Sequence, residues 1–332
     1  MRRLALSGLL LAAISLPALA APRVVASIVP VHSLAAAIMQ GVGTPELLLS
    51  GQNSEHTASL TPRQLEQLIK ADAVFMVGEG LESKLVQLDG SEAVGGRRFV
   101  ALADTPGLAT LPIREGGSWE PHHHDDEETD HDHDAHSAAE TDHDHAAHSA
   151  AETDHDHAVH AAFDPHIWLS PANAKVMAGA IAAELSRLDP ANAAAYAANA
   201  ARLDHRLDET SARLTAELAP VKDRPFIVFH DAYQYFERDF GLSGVGSITD
   251  IAGAPPSAQR LKDIQDKIRS TQAACVFREP QFPADRVVAI TADTGTRTGV
   301  LDPLGAGLTP GPEAYPTLLD DLAASLKTCL SG

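Results

Sequence analysis

Three histidines of the sequence stand at positions where side chains commonly bind metal ions. His230 directly follows the apolar run 225–229, and His56 follows the run 46–49 through a polar turn. His166 lies shortly before the helical pattern that begins at Pro171. Neutral imidazole is a good ligand for borderline divalent metals. His56 and His230 lie at the carboxyl ends of predicted strands, and His166 lies beside a predicted lobe. The three rings can therefore converge on one cleft.

Two acidic residues compete for a fourth position beside these rings. Glu55 adjoins His56 on the same predicted loop, and Asp302 follows the predicted strand 299–301. A shell of three imidazoles and one oxygen is tetrahedral, which suits zinc. Alternatively, Glu55 is an ordinary surface residue and Asp302 orients a histidine ring by accepting a hydrogen bond from its N–H. The sequence leaves both alternatives open, with water as a third candidate for the fourth position.

A second group of histidines lies in an insertion over residues 115–162. It contains three copies of a twelve-residue unit, beginning at Glu128, Glu140 and Glu152, which offers little apolar surface except alanine. This composition predicts a disordered loop. We interpret the loop histidines as weak, multiple metal sites, because His-Asp pairs on a flexible chain favour exchanging coordination. They are His122, His123, His124, His131, His133, His136, His143, His145, His148, His155, His157 and His160.

The charge of the chain excludes some classes of partner. The net charge is −20 over 332 residues, which opposes nucleic acid or an anionic membrane surface as the main partner. Much of the excess comes from the insertion, which has many Asp and Glu and no Lys or Arg. With 44% hydrophobic residues, the remaining chain is long enough to bury one or two sizeable cores.

The amino terminus has the pattern of a secretory signal peptide. Arg2 and Arg3 precede an apolar run over 4–16, and the small-residue pattern 18–20 predicts cleavage after Ala20. A membrane anchor is the alternative, but the run is shorter than the ~20 apolar residues that span a bilayer. In an oxidising compartment the two cysteines, Cys275 and Cys329, are expected to pair, with two buried thiols as the alternative.

The mature chain alternates short strand-like and helical patterns in two regions, which predicts two α/β lobes with parallel sheets. The run Pro190 to Leu218 has no internal Gly or Pro and predicts a long rigid helix between the lobes. The expected organisation is a signal peptide over 1–20, an N-terminal lobe over 21–189 containing the insertion, a connecting helix over 190–219 and a C-terminal lobe over 220–332. A metal site would lie in the cleft between the lobes.

Seven short motifs are distributed along the mature chain: SIVP from Ser27, SEH from Ser54, DPHIWLSP from Asp164, FHDAY from Phe229, SAQR from Ser257, FREPQ from Phe277 and LDPLG from Leu301. Together they resemble the motifs of one known family, the zinc-binding periplasmic proteins of bacterial high-affinity zinc ABC transporters, which are metal-binding solute receptors. The resemblance extends through nearly the whole mature chain and implies two α/β lobes joined by a rigid helix. It implies His56, His166 and His230 as ligands and a Cys275–Cys329 disulfide. Manganese and iron receptors of this kind generally carry a carboxylate where His230 stands, which favours zinc here.

The resemblance therefore predicts a monomeric receptor, without catalytic activity, that captures Zn²⁺ in the periplasm and delivers it to an inner-membrane ABC permease. One alternative is a periplasmic zinc buffer or chaperone acting through the His-rich loop. Another is an enzyme with a three-histidine zinc site, although the sequence lacks an HExxH motif and an obvious general base.

Overall fold

The computed structural model describes residues 21–51, 54, 56, 59–95, 98–114, 119, 163–249, 256–292 and 294–332. The predicted signal peptide and the twelve loop histidines lie outside the described residues, as does Glu55. Among the described helices, none combines the length and the apolar character needed to cross a bilayer.

The first lobe is a four-stranded parallel sheet covered by helices. Its strands lie in the order β2-β1-β3-β4, and β1 pairs with both β2 and β3, as in Ala26 with Leu47 and Ala26 with Phe75. Short apolar runs form the two central strands of this sheet, because β1 and β3 are buried along their whole length. The elements are β1 Val24–Ala26, α1 Val29–Ile38, β2 Glu46–Leu47, α2 Pro62–Lys70, β3 Ala73–Met76, α3 Ser83–Leu88 and β4 Arg98–Ala101.

Two long helices follow, α4 Pro171–Leu188 and α5 Ala193–Leu218. Ser170 begins α4 by accepting a hydrogen bond from the backbone N–H of Asn173. A leucine stripe that includes Leu203, Leu207 and Leu214 buries one face of α5 against α4, α1 and the last helix of the chain. At 1.5 Å per residue, α5 is about 39 Å long and connects the two lobes.

The second lobe repeats the arrangement of the first. Its parallel strands lie in the order β6-β5-β7-β8. The chain therefore adds β6 on one side of β5 and then crosses over to add β7 on the other side. A disulfide joins Cys275 on β7 to Cys329 on the last helix. The elements are β5 Phe226–Val228, α6 Gln234–Phe240, β6 Gly244–Ser247, α7 Ala258–Thr271, β7 Cys275–Arg278, α8 Asp285–Thr291, β8 Arg297–Val300 and α9 Ala314–Ser331.

One hydrophobic core extends through both lobes and the helices between them. Trp168, fully buried, donates its indole N–H to the carbonyl of Pro303 at 2.8 Å. The Tyr315 hydroxyl donates to the carbonyl of Trp168 at 2.6 Å. These contacts join residues on both sides of the cleft, so the lobes are packed together at its base.

The predicted fold class and the disulfide are confirmed, and some element boundaries differ. Residues 23–29 have a strand-like pattern, but in the structure β1 ends at Ala26 and α1 begins at Val29, because Pro30 fits the first turn of a helix. The long helix begins at Ala193, since Pro190–Asn192 forms a separate 3₁₀ turn. The short helix α3 was not predicted.

Candidate metal centre

His56, His166 and His230 lie together in the cleft between the lobes. His230 comes two residues after β5, at the edge where parallel strands direct their carboxyl ends. His56 lies between β2 and α2, and His166 precedes the 3₁₀ turn Ile167–Leu169 that leads into α4. One ring nitrogen from each residue lies within 4.8 Å of the other two. The prediction that these rings converge is therefore confirmed.

The spacing of the three rings matches what a metal ion needs. The Nε2 atom of His166 lies 3.4 Å from Nε2 of His56 and 3.2 Å from Nε2 of His230. Two nitrogens bound to one zinc at tetrahedral angles, with Zn–N of about 2.0 to 2.1 Å, lie roughly 3.3 Å apart. The pocket therefore has the dimensions of a zinc site without rearrangement of these two pairs.

Two buried carboxylates fix which nitrogen of two rings carries the proton. His166 donates from Nδ1 to Oδ1 of Asp164 at 2.8 Å, and the same oxygen accepts the backbone N–H of His166 at 2.9 Å. His230 donates from Nδ1 to Oε2 of Glu279 at 2.6 Å. With their protons on Nδ1, both rings present an unprotonated Nε2 to the cleft. This arrangement is typical of histidines that bind metal.

Burial favours the neutral forms of His56 and His166 in the metal-free protein. It lowers the pKa of His56 well below the ordinary value of 6.5, and the nearby His166 and His230 rings lower it further, while a hydrogen bond with the backbone of Gly80 opposes the shift. Burial, with His230 beside it, also lowers the pKa of His166 well below 6.5. Burial raises the pKa of Asp164 to about 7. Neutral imidazole is the form that binds metal, so these rings need not lose a proton near neutral pH.

Two aromatic side chains lie beside the buried histidine rings. The ring of Trp168 lies 5.2 Å from that of His166, and Phe282 lies 5.8 Å from that of His230, measured between centroids. His166 and His230 are almost completely buried, whereas His56 is half-buried. His56 therefore lies on the side of the site that is open to solvent.

An arginine links the two lobes next to the site. Arg114, in the first lobe, donates to Asp231 and Glu237 in the second, with 2.6 Å to Oε2 of Glu237. Burial raises the pKa of both carboxyl groups, and the guanidinium opposes that shift. Its face also lies 3.5 Å from the ring centroid of Trp119. Asp231 adjoins His230, so this ion-pair group stabilises the segment that carries His230.

Of the two acidic residues proposed for the fourth position, the structure describes only Asp302. Glu55 lies outside the described residues. Asp302 uses its carboxylate elsewhere: Oδ1 accepts from Leu304, Gly305 and Gln281, and Oδ2 accepts from Ala306. The alternative that Asp302 orients one of the described histidine rings is wrong for His166 and His230, whose Nδ1 partners are Asp164 and Glu279.

The roles of Asp164, Glu279 and Arg114 were not recognised in the sequence. A signal existed for the first two, because Asp164 is two residues before His166 and Glu279 follows β7, the neighbour of β5. The role of Arg114 could not be predicted from the sequence, since its partners lie more than a hundred residues away in the chain.

The fold and the cleft define a two-lobed α/β receptor with an imidazole-rich site between its lobes. The chain belongs to the ZnuA family, described as zinc-uptake complex component A, periplasmic, whose model matches residues 24–329. Membership makes the chain a component of a zinc-uptake complex and not an enzyme, with Zn²⁺ as its ligand.

Curated relatives agree with this assignment. The chain is 47% identical over 309 residues to the high-affinity zinc uptake system protein ZnuA of Brucella suis, covering 93% of this chain and 91% of the relative. It is 35% identical over 317 residues to the protein of the same name from Yersinia pestis, covering 94% and 92%. Both matches extend over nearly the full length of each protein.

Solved structures support the same fold. A crystal structure of ZnuA superimposes with a TM-score of 0.72 at 29% identity, covering 93% of this chain and 99% of that one. A zinc-bound ZnuA deletion mutant gives 0.70 at 27% identity, covering 94% and 99%. The periplasmic zinc-binding protein TroA from Treponema pallidum gives 0.72 at 20% identity, covering 93% and 99%, which is a likeness of fold.

Proposed function

We propose that this protein captures Zn²⁺ in the periplasm at His56, His166 and His230 and delivers it, as a monomer, to an inner-membrane ABC permease. The observation that supports the site is the mutual spacing of the Nε2 atoms, at 3.2 and 3.4 Å, together with the Nδ1 hydrogen bonds to Asp164 and Glu279. Two unprotonated nitrogens at such a distance bring their lone pairs together, and a Zn²⁺ ion between them would stabilise this arrangement.

Export through a signal peptide cleaved after Ala20 accounts for delivery to the periplasm. It is consistent with the Cys275–Cys329 disulfide, which persists in an oxidising compartment. It is also consistent with a family described as periplasmic and with relatives named for high-affinity zinc uptake. The permease is the partner that such an uptake system requires.

The fourth ligand is proposed to be Glu55 or water, because Asp302 already accepts four hydrogen bonds. The His-rich loop is proposed to gather zinc through weak sites. Every ion bound by a flexible segment must order that segment, and the entropy cost lowers the affinity of each site.

A calorimetric zinc titration distinguishes the folded site from the loop. A variant lacking residues Glu120 to His160 should keep one tight site and lose the weak ones. Adding His166→Ala to this variant should abolish the tight site, whereas adding His205→Ala, on the exposed face of α5, should leave it intact. Loss of the tight site on loop deletion alone would contradict the proposal and favour a zinc buffer that acts through the loop.

A further inference from the structure

A glutamine of the second lobe contacts the segment of the first lobe that carries His56. Gln281 follows β7, and its Nε2 donates to the carbonyl of Gly51 at 3.1 Å. The same nitrogen donates to Oδ1 of Asp302 at 2.9 Å. These two hydrogen bonds, here named the Gln281 bridge, join the loop after β2 to the turn after β8.

The orientation of the Gln281 amide is determined by its neighbours. A carbonyl and a carboxylate both accept hydrogen bonds, so the NH₂ group must face them. The Asp302 carboxylate is itself fixed by backbone N–H groups, at 3.1 Å from Leu304, 2.9 Å from Gly305 and 2.7 Å from Ala306. The end of the Gln281 bridge in the second lobe is therefore rigid.

Gly51 shows that the two lobes approach closely at this point. Its φ of +77° is one that side-chain-bearing residues rarely adopt, and it is buried. A Cβ atom at Gly51 would lie 3.3 Å from Cα of Ala306 and 3.4 Å from Cβ of Leu304. The loop backbone therefore packs directly on the Asp302–Ala306 turn, and Gln281 adds hydrogen bonds to that contact.

Described residues of the first lobe anchor this segment on both sides of His56, and His56 itself has a hydrogen bond with the backbone of Gly80. Before Gly51, the N–H of Leu49 donates to Ser27 at 2.8 Å as an extension of the sheet. After it, Thr61 and Gln64 form a reciprocal capping box at the start of α2. His56 lies between these anchors, five residues after Gly51. His166 and His230 are instead buried and bonded to carboxylates.

We propose that Gln281 is a positioning residue that keeps the His56 loop against the second lobe and thereby slows zinc release. The proposal rests on the proposed function, since it takes His56 to be a ligand. His56 is the ligand on the solvent side of the site, so displacement of its loop opens the coordination shell first. A tie from the second lobe to Gly51 raises the cost of that displacement.

The rate of zinc release tests the role of Gln281. Zinc-loaded full-length mature protein is mixed with excess chelator, and the slow phase from the tight site is followed. Gln281→Met keeps the side-chain size and removes the donor, and it should release zinc about 10-fold faster, the effect of losing one net hydrogen bond. The association rate and the absorption spectrum of the cobalt-substituted site should not change, because the donor set is intact.

Two further variants separate this effect from general destabilisation. In Gln281→Glu, a carboxylate replaces the amide that faces Asp302 and the Gly51 carbonyl. This variant should therefore release zinc at least as fast as Gln281→Met. Gln259→Met is the matched control, because Gln259 is exposed on α7 and bonds to Asp263. It should behave like the wild type.

A metal-free measurement reports on the Gln281 bridge separately from zinc binding. Amide hydrogen exchange over residues 48–60 should be faster in Gln281→Met than in wild type and unchanged in Gln259→Met. If wild-type protein lacked a tight zinc site, the proposed function would fail, while the exchange rates would still show whether the bridge holds the loop. Release rates equal to wild type in both Gln281 variants would overturn the proposal.

Discussion

His166 and His230 face each other through unprotonated Nε2 atoms 3.2 Å apart, and each ring donates its Nδ1 proton to a buried carboxylate. The two carboxylates come from different lobes, Asp164 from the segment before α4 and Glu279 from the end of β7. Each lobe therefore supplies a ring together with the group that orients it. Both rings therefore present an unprotonated nitrogen to the same point of the cleft.

Removing the charge of Glu279 should weaken zinc binding. In Glu279→Gln the amide oxygen can still accept the Nδ1 proton, but the negative charge that makes His230 a more basic ligand is lost. Affinity should fall roughly 10- to 100-fold, as for other residues that orient metal-binding histidines. Competition with a chromophoric chelator measures this change. Glu209→Gln, on the exposed face of α5, is the control, and an equal effect of both variants would contradict this role of Glu279.

The residue at position 230 should set the choice of metal. His230→Glu replaces a nitrogen ligand by an oxygen ligand, which manganese prefers more strongly than zinc does. The new carboxylate would also lie beside Glu279, the present partner of the His230 ring. Zinc affinity should fall more than manganese affinity, whereas His56→Ala and His166→Ala should weaken both. Competition titrations on loop-deleted protein measure the ratio, and an unchanged ratio in His230→Glu would exclude His230 as a ligand.

Zinc affinity should depend on pH only below neutrality. The pKa values of His56 and His166 in the folded protein lie below 6.5, their value in the unfolded chain. The stability that the neutral rings contribute is therefore fully present above about pH 6.5 and is lost as pH falls through the folded pKa values. Zinc affinity falls only where protons compete for the folded rings, so it should be nearly constant from pH ~7.5 to ~6.5 and decrease well below pH 6.5.

Chelator competition across this range measures the pH profile. His205→Ala serves as the control, because His205 is exposed on α5 and should not affect the profile. A steep fall of zinc affinity between pH ~7.5 and ~6.5 would contradict ligand rings that burial keeps neutral in this range.

The disulfide should contribute to stability more than to zinc affinity. Cys275 and Cys329 are 54 residues apart, and closing such a loop in the unfolded chain is worth on the order of 4 kcal/mol in the chain-entropy model. The double variant Cys275→Ser/Cys329→Ser should unfold at a lower denaturant concentration, while zinc affinity of the folded protein changes little. Chemical denaturation of both proteins tests this, and equal midpoints would contradict it.

The sequence predicted the convergence of the three histidines better than it predicted their hydrogen-bond partners. His56 and His230 were placed at strand ends by local apolar runs, and parallel sheets bring such ends to one edge. Glu279 is 49 residues from His230, and pairing them requires knowing that β7 lies next to β5. That neighbour relation depends on tertiary packing. The same holds for Gln281 and Gly51, which are 230 residues apart and whose contact depends on how the lobes meet.

The start of α1 shows a related limit. The run 23–29 is mostly apolar, and periodicity alone does not separate the end of a buried strand from the start of a buried helix. The structure makes the change between Ala26 and Val29, where Pro30 fits the first helical turn. The helix α3, six residues long, is too short to show a helical period.

The most direct test of the account is an anomalous difference map at the zinc absorption edge, from crystals of zinc-loaded, loop-deleted protein. The account predicts one strong peak in the cleft, about 2.0 to 2.1 Å from Nε2 of His56, His166 and His230. A strong peak elsewhere, with these three nitrogens not bound to it, would contradict the account.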